Sequence, residues 1–256
     1  MPPVSQNDLN QALTAHQEGR LGEAEKCYRQ LAEAAPENAD VWHLLGALCH
    51  QIGDITQAEQ YLDRAIELEP DFAEALNSRG IFLKDNRRLL AAEQDFKAAL
   101  TLIPHFPQSL TNLADIYRLK GNFTEAKTLN DRALKLAPDL APAYNNLGAI
   151  ERDLSNLEAA CEAFQKALEL DQTLIDAAIN LALTLNTMGK TTKALQIATE
   201  ASQQAPDYAP AQNCLGTIYF ECEKFENASI CFKDAITLDP AYADGHNNLA
   251  NTLTKL

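Results

Sequence analysis

The sequence predicts an all-α protein, a solenoid of helix–turn–helix units, and three observations carry this prediction. The 256 residues repeat with a period of 34, proline marks the period at six places, and one position is alanine in all seven full units. Units of this length hold two helices that bury their apolar faces only against neighbouring units. The prolines are Pro36, Pro70, Pro104, Pro138, Pro206 and Pro240, and the alanines are Ala24, Ala58, Ala92, Ala126, Ala160, Ala194 and Ala228.

Setting each proline at position 32 of a unit divides residues 1–256 as one array without insertion or deletion. The full units are 5–38, 39–72, 73–106, 107–140, 141–174, 175–208 and 209–242, and a half unit, 243–256, follows. The half unit is either a helix that closes the array or a repeat cut short. Its match to a full repeat favours the second interpretation, because Leu249 and Leu253 would otherwise leave apolar surface exposed.

Two amphipathic helical patterns follow one another in each unit. In the second unit, Trp42, Leu45 and Cys49 share one face of the first helix, and the second helix stops before Pro70. Proline donates no backbone hydrogen bond and disfavours a helical residue before it. Glycine marks the turn between the two helices, where a left-handed conformation costs glycine least. These glycines are Gly19, Gly53, Gly121 and Gly189.

This pattern resembles the tetratricopeptide repeat, whose signature is W-x2-L-G-x2-Y, then A-x3-F, then P. The second unit supplies Trp42, Leu45, Gly46, Ala58 and Pro70, and the seventh supplies Leu215, Gly216, Tyr219, Ala228, Phe232 and Pro240. The resemblance extends over almost the whole chain. It implies a right-handed superhelix of antiparallel helix pairs, with a concave groove lined by the first helix of each unit.

The third and fifth units depart from the signature. In the third unit, Arg79 replaces the usual leucine and Arg87 replaces the turn glycine. In the fifth unit, Ser155 replaces the turn glycine and Gln172 replaces the proline. We therefore expect looser geometry in these two units.

Composition and motifs exclude several function classes. The formal net charge is −15, which disfavours binding to nucleic acid or to an anionic membrane surface. No uncharged stretch is long and apolar enough to span a bilayer. No phosphate-binding loop, catalytic motif or zinc-type cysteine spacing occurs, so we expect no enzymatic activity, no cofactor and no metal. The N-terminus resembles no secretory signal, and we interpret the six cysteines as free thiols of a cytoplasmic protein.

The resemblance places positions 2, 5, 6, 9, 12 and 13 of each first helix in the groove. An asparagine amide carries donors and an acceptor, so it can pair with the backbone of an extended peptide. We therefore predict an asparagine ladder, similar to the one in the repeat domain of O-linked N-acetylglucosamine transferase. Alternatively, asparagine at position 6 is simply common in this family. Position 6 supplies Asn10, Asn112, Asn146, Asn180 and Asn248, and position 5 supplies Asn77, Asn145, Asn213 and Asn247.

Position 12 forms a basic row, Lys84, Arg118 and Arg152, flanked by His16 and His50. We predict that this row attracts acidic side chains or a carboxylate of a bound peptide. Alternatively, these are solvated cations near helix C-termini, where the helix dipole favours them. Neighbouring Asp85 and Asp153 could also neutralise them. Position 2 forms an acidic edge opposite the row, with Asp40, Glu74, Asp176 and Asp244.

The function predicted from these features is a protein-interaction scaffold or adaptor that binds extended polypeptide. A receptor for chaperone C-terminal tails is excluded, because Gln108 and Asn112 stand where that class needs lysine and arginine. Two alternatives remain. The chain could be the substrate-recruiting arm of a larger enzyme, a glycosyltransferase or sulfotransferase with its catalytic domain beyond residue 256. It could also be a structural subunit of an oligomeric assembly, although the sequence does not give the oligomeric state.

Overall fold

The structure, a computed structural model, describes residues 6–256, with side chains from residue 8 onward. Fifteen α-helices and no strand occur within these described residues, so the all-α prediction is confirmed. The predicted start of the first unit at residue 5, and most of the N-terminal stretch judged to lack a secretory signal, lie outside them.

The helices fall into two compact units, Met1–Lys120 and Gly121–Leu256. A unit named by its residue range is one of these two, whereas a numbered unit is one 34-residue repeat. We call the odd-numbered helices first helices and the even-numbered ones second helices. The unit Met1–Lys120 contains α1 (Gln6–Gln17), α2 (Leu21–Ala34), α3 (Ala39–Gln51), α4 (Ile55–Leu68), α5 (Ala73–Asp85), α6 (Leu89–Leu102) and α7 (Pro107–Leu119). The unit Gly121–Leu256 contains α8 (Phe123–Leu136), α9 (Ala141–Asp153), α10 (Leu157–Leu170), α11 (Ile175–Thr187), α12 (Thr191–Gln204), α13 (Ala209–Glu221), α14 (Phe225–Leu238) and α15 (Ala243–Leu253).

The expectation of looser geometry in the third and fifth units is wrong for their helices, which have regular lengths. Their first helices have 13 residues and their second helices 14, the same lengths as in the second unit. Arg87 and Ser155 take over the role of the turn glycine with φ values of 61° and 65°. Where the proline is missing, the Asp171 carboxylate accepts from the Thr173 backbone N–H at 2.8 Å, which is the same turn that Asp239 makes with Ala241 beside Pro240.

The two helices of a unit approach most closely at position 8 of the first helix. A Cβ added to Gly148 would lie 2.5 Å from the Phe164 ring, closer than real Cβ contacts allow. Glycine therefore makes room for the aromatic ring on the second helix, at position 24 of the 34-residue unit. The same arrangement recurs as Gly80 with Phe96 and Gly216 with Phe232.

Arg79 replaces a core leucine without leaving a buried charge unpaired. Its guanidinium donates to both carboxylate oxygens of Asp95, at 2.7 and 2.8 Å, and to Asp63 at 2.8 Å. These hydrogen bonds, the one to Asp95 first, raise the pKa of Arg79 above its ordinary value despite burial. Because Asp95 is itself buried, the pair stabilises the helix contacts only as a complete unit.

Candidate functional site

The candidate site is the side of the first helices that carries positions 5, 6, 9 and 12 of each unit, which we call the first-helix face. Helical geometry brings these positions together, because residues three and four apart share one side of a helix. The predicted asparagines differ in exposure. Asn10 and Asn247 are exposed, Asn112, Asn145, Asn180, Asn213 and Asn248 are half-buried, and Asn77 and Asn146 are buried.

Asparagines of adjacent first helices are linked to one another in the unit Gly121–Leu256. The Asn180 amide N–H donates to the Asn145 side-chain oxygen at 3.1 Å, joining α11 to α9. The Asn248 amide N–H donates to Asn213 at 3.0 Å, joining α15 to α13. Each bond connects position 6 of one unit to position 5 of the unit before it.

The same link recurs in the unit Met1–Lys120. The Asn112 amide N–H donates to the Asn77 oxygen at 3.1 Å, and the Ser109 hydroxyl donates to the same oxygen at 2.8 Å. One repeat earlier, His43 Nε2 and the Ser78 hydroxyl lie 2.8 Å apart. These links therefore tie α3 to α5, α5 to α7, α9 to α11 and α13 to α15, and they fix the orientation of the amides that take part.

These links use only part of each amide. Asparagine has two N–H donors and an oxygen with two lone pairs. Asn145 and Asn213 accept through their oxygens, and among the described residues their amino groups have no hydrogen-bond partner. Asn112 and Asn248 use an amino group, and their oxygens likewise accept nothing from the described residues. Donors and acceptors thus remain available along a half-exposed row.

Asn146, predicted to point into the groove, is instead buried with 6% exposure. Its amino group donates to the Asn130 oxygen at 3.3 Å, and Asn130 in turn donates to the Ala143 backbone oxygen at 2.9 Å. Asn146 therefore joins α9 to α8. Asn77 is buried as well, at 8% exposure, and contributes its oxygen to the links described above.

A carboxylate that the sequence analysis missed orients two members of the basic row. Asp115, at position 9, lies 3.1 Å from the Lys84 ammonium. Arg118 donates to the other oxygen of Asp115 through Nε and Nη2, at 3.1 and 3.0 Å. All three side chains are partly exposed on the first-helix face. The signal in the sequence was the i, i+3 spacing of Asp115 and Arg118 on one helix.

The remaining groups of the row have other partners. Arg152 donates to the Asn180 oxygen at 2.9 Å, which connects the basic row to the asparagines. Asp85, expected to neutralise Lys84, lies 3.2 Å from His50 Nε2. His16 Nε2 lies 2.8 Å from the side-chain oxygen of Gln51.

Burial changes the ionisation of His43, which lies at position 5 of the second unit. Burial lowers the pKa of the imidazole, although the nearby carboxylates of Asp40 and Glu74 raise it in part. Its ring also packs edge-on against Phe72, with centroids 5.0 Å apart. The imidazole therefore favours the neutral form in which it pairs with Ser78.

The predicted acidic edge is exposed. Asp40, Glu74, Asp176 and Asp244 all lie at the surface, and the Tyr208 hydroxyl donates to Asp176 at 2.9 Å. Within residues 6–256, no cluster of histidine, cysteine or carboxylate side chains has the arrangement of a metal site. In the same residues, no helix has the length and apolar character needed to cross a bilayer.

The cysteines belong to the packing rather than to the first-helix face. All six are free thiols. Cys214, expected to face the groove, is 2% exposed, and burial raises the pKa of its thiol to about 12. A thiol so protected is neither nucleophilic nor a metal ligand.

Comparison with known sequences agrees with this architecture. Profiles described as tetratricopeptide repeat match residues 15–79, 51–109 and 105–173, and one described as TPR repeat matches 216–256. The chain belongs to the tetratricopeptide-repeat family. No curated protein matches this tetratricopeptide-repeat chain.

Solved structures are similar to the chain in fold. A chain of the APC/C hetero-tetramer Cut9–Hcn1 superposes with a TM-score of 0.83 at 16% identity, covering 98% of this chain and 50% of that one. This chain thus spans half the length of that structure's chain. A tetratricopeptide-repeat protein of Parabacteroides merdae gives 0.74 at 17% identity, covering 97% and 98%. One of Thermus thermophilus gives 0.65 at 20% identity, covering 71% and 99%.

Proposed function

We propose that this tetratricopeptide-repeat chain is a protein-interaction scaffold that binds extended polypeptide along its first-helix face. The observation that carries the proposal is the set of asparagine pairs that link α5 to α7, α9 to α11 and α13 to α15, with donors and acceptors left over. Repeat arrays commonly bind partners on an extended surface formed by consecutive units. A row of amides suits the backbone of the ligand, because every peptide unit offers one donor and one acceptor.

The spacing of the row fits an extended chain. Packed helices lie about 8–10 Å apart, and an extended peptide advances about 3.3 Å per residue. One unit of the array therefore corresponds to about three residues of ligand. Contacts at this interval read the backbone and leave most side chains of the ligand unspecified, so we expect weak sequence preference. The resemblance to O-linked N-acetylglucosamine transferase repeats supports backbone contact of this kind.

The basic row adds a preference for acidic ligands. Asp115 holds Lys84 and Arg118 in fixed positions, which reduces the entropy lost when they meet a further carboxylate. The surface as a whole is acidic, with a net charge of −15, so nucleic acid is not a proposed partner. The free thiols agree with a reducing compartment, and we place the function in the cytoplasm.

The test is selection of displayed random dodecapeptides on the full chain, followed by affinity measurement with one selected peptide. A variant with Asn145, Asn213 and Asn248 changed to alanine, all within Gly121–Leu256, should lose at least about tenfold in affinity, since a hydrogen bond contributes about 1 kcal/mol. Asn227→Ala is the matched control, because Asn227 is exposed on the second helix α14. Equal loss in both variants, or none in the triple variant, contradicts the proposal.

The charge preference is tested separately. The selected peptides should be enriched in aspartate and glutamate, and Lys84→Glu should weaken their binding by about two- to fivefold at low salt. Added salt should reduce the difference between Lys84→Glu and the parent chain, because exposed charges are screened. If Lys84→Glu has unchanged affinity at low salt, the basic row is not part of the binding site. This result would not contradict binding by the asparagines.

A further inference from the structure

A second candidate site lies outside the first-helix face, in the unit Met1–Lys120. It is a cavity of about 360 Å³ between the second helices α2 and α4, with α3 as its floor. Its volume lies within the range of small-molecule and side-chain pockets. Its principal lining residues are Arg29, Glu33, Pro36, Trp42, Leu45 and Tyr61. We call it the α2–α4 cavity.

The aromatic walls of the α2–α4 cavity are fixed in place by their own contacts. The Trp42 indole N–H donates to the Pro36 backbone oxygen at 2.9 Å. The rings of Trp42 and Tyr61 lie 5.4 Å apart at 38°. The Arg29 guanidinium donates to the Tyr61 hydroxyl at 2.8 Å and stays close to its ring, at 5.7 Å from the centroid. A ligand entering the cavity therefore meets ordered groups and loses little free energy to their immobilisation.

The next junction of the array lacks these walls. Moving along the sequence by 34 residues exchanges Arg29, Leu45 and Tyr61 for Asp63, Arg79 and Asp95. There the Arg79 guanidinium reaches both aspartates and occupies the equivalent place with an ion pair. The aromatic lining is thus not a general consequence of the repeat.

The surroundings of the α2–α4 cavity are acidic. Glu33 lies exposed at its rim, and it has no ion pair among the described residues. An adjoining cavity of about 560 Å³ shares Pro36 and is bordered by Glu37, Asp40 and Glu69. Of the cations near this region, Arg29 lines the cavity but is paired with Glu25 at 2.7 Å. Arg64 lies 3.7 Å from Glu37 and 3.5 Å from Glu67. These distances are long for ion pairs, so Arg64 leaves most of the negative potential in place.

We propose that the α2–α4 cavity is a docking site for a basic, apolar segment of a partner protein. A large aliphatic side chain enters between Trp42 and Arg29, and flanking lysine or arginine side chains meet Glu33 and the carboxylates of the adjoining cavity. Tryptophan, tyrosine and arginine are the residue types that most often dominate the binding energy of protein interfaces. The site goes beyond the proposed peptide binding on the first-helix face, since it shares no residue with the asparagine or basic rows.

The single tryptophan provides a direct readout. We would titrate the full chain with acetyl-Lys-Leu-Leu-Lys-amide and follow the one indole N–H resonance by NMR. This peptide should shift the resonance to saturation. The comparison peptides acetyl-Glu-Leu-Leu-Glu-amide and acetyl-Lys-Ser-Ser-Lys-amide should bind several-fold more weakly. An unshifted indole, or equal binding of either comparison peptide, overturns the proposal.

A pair of charge-reversal variants locates the contact. Glu33→Lys should lower the affinity for the basic peptide by about two- to fivefold. Glu169→Lys is the matched control, because Glu169 occupies the same position in the fifth unit and is also exposed. Equal affinities of the two variants would overturn the proposal. Asn145→Ala should leave the indole titration unchanged. A negative result for the α2–α4 cavity therefore does not contradict peptide binding on the first-helix face, and the reverse also holds.

Discussion

Single residues set how closely the two helices of a unit pack. Gly148 illustrates this, because an added Cβ would lie 2.5 Å from the Phe164 ring. In a helix interior, alanine is normally more stabilising than glycine by about 1 kcal/mol. Here overpacking should reverse that sign, and we expect Gly148→Ala to lower the free energy of unfolding by about 1–2 kcal/mol, measured by urea denaturation.

A control separates overpacking from helix propensity. A Cβ added to Gly22 in α2 meets nothing within 4 Å, so Gly22→Ala should be neutral or stabilising. Adding Phe164→Leu to Gly148→Ala should recover part of the loss, since the smaller side chain relieves the contact. A stabilising effect of Gly148→Ala alone would show that the ring moves aside freely.

Burial of His43 predicts a pH dependence of stability. Its pKa is lowered in the folded state by burial, against an unfolded value of about 6.5. Between these two pKa values the unfolded state binds more protons, so stability rises with pH. The contribution of the neutral imidazole is complete above about pH 6.5 and is lost as the pH falls through the folded pKa.

The comparison that checks this dependence is a set of urea midpoints between pH 7 and pH 5. His43→Gln should flatten the loss of stability on acidification relative to the parent chain. Gln108→Ala, at an exposed residue that does not titrate, should leave the slope as it is in the parent. The same slope in all three proteins would exclude His43 as the source.

The candidate site shows what single positions in the sequence could and could not predict. The pattern identified every asparagine at positions 5 and 6, but it did not separate exposed amides from buried ones. Asn146 is buried because Asn130 accepts its amide at a position where other units place a large apolar side chain such as Phe164. That partner lies 16 residues earlier on another helix, outside the periodicity that revealed the row.

Among the structural elements, the turn between the first and second helix of each unit carries backbone strain. Three of these turns place a non-glycine residue at positive φ: Arg87, Ser155 and Glu223. A left-handed conformation costs such residues about 1–2 kcal/mol, and glycine loses about 0.5–1 kcal/mol through its greater freedom when unfolded. Ser155→Gly should therefore raise the free energy of unfolding by about 0.5–1 kcal/mol.

The reverse change tests the same explanation. Gly189 has a φ of +74°, and Gly189→Ala should destabilise the chain by about 1 kcal/mol although the added Cβ meets nothing within 4 Å. Urea denaturation of both variants gives the comparison. If Ser155→Gly destabilises, the serine side chain makes a contact that outweighs its backbone strain.

The helices themselves were largely predictable because several local signals agree. The prolines and turn glycines mark where helices end, and the apolar faces give their period. Where a signal was missing, the backbone kept the same geometry: Ser155 adopts the left-handed turn, and α10 ends at Leu170 although Gln172 replaces the proline. The expectation of looser units failed because backbone conformation at these places depends on the whole helix pair and not on one residue type.

At the scale of the whole molecule, stability accumulates from contacts between neighbouring helices. In the unit Met1–Lys120, α1 packs mainly against α2 and reaches α3 through His16 and Gln51, whereas α3 packs against α2, α4 and α5. In the unit Gly121–Leu256, α15 packs against α14 and α13, and its Leu253 remains 54% exposed. Helices with fewer neighbours open at lower free energy, because fewer contacts must be broken.

Native-state hydrogen exchange tests this dependence on neighbours within each unit. Amides of α1 should exchange faster than those of α3, and amides of α15 faster than those of α11, which packs against α9, α10, α12 and α13. The links Asn180–Asn145 and Asn248–Asn213 allow a second comparison within the same unit. The first joins α11 to α9, and the second joins α15 to α13 in the same way. Asn145→Ala should raise exchange in α9 and α11 and leave α15 nearly unchanged. A uniform increase through all helices of Gly121–Leu256 would instead mean that the unit opens as one cooperative block, with no gradient set by neighbours.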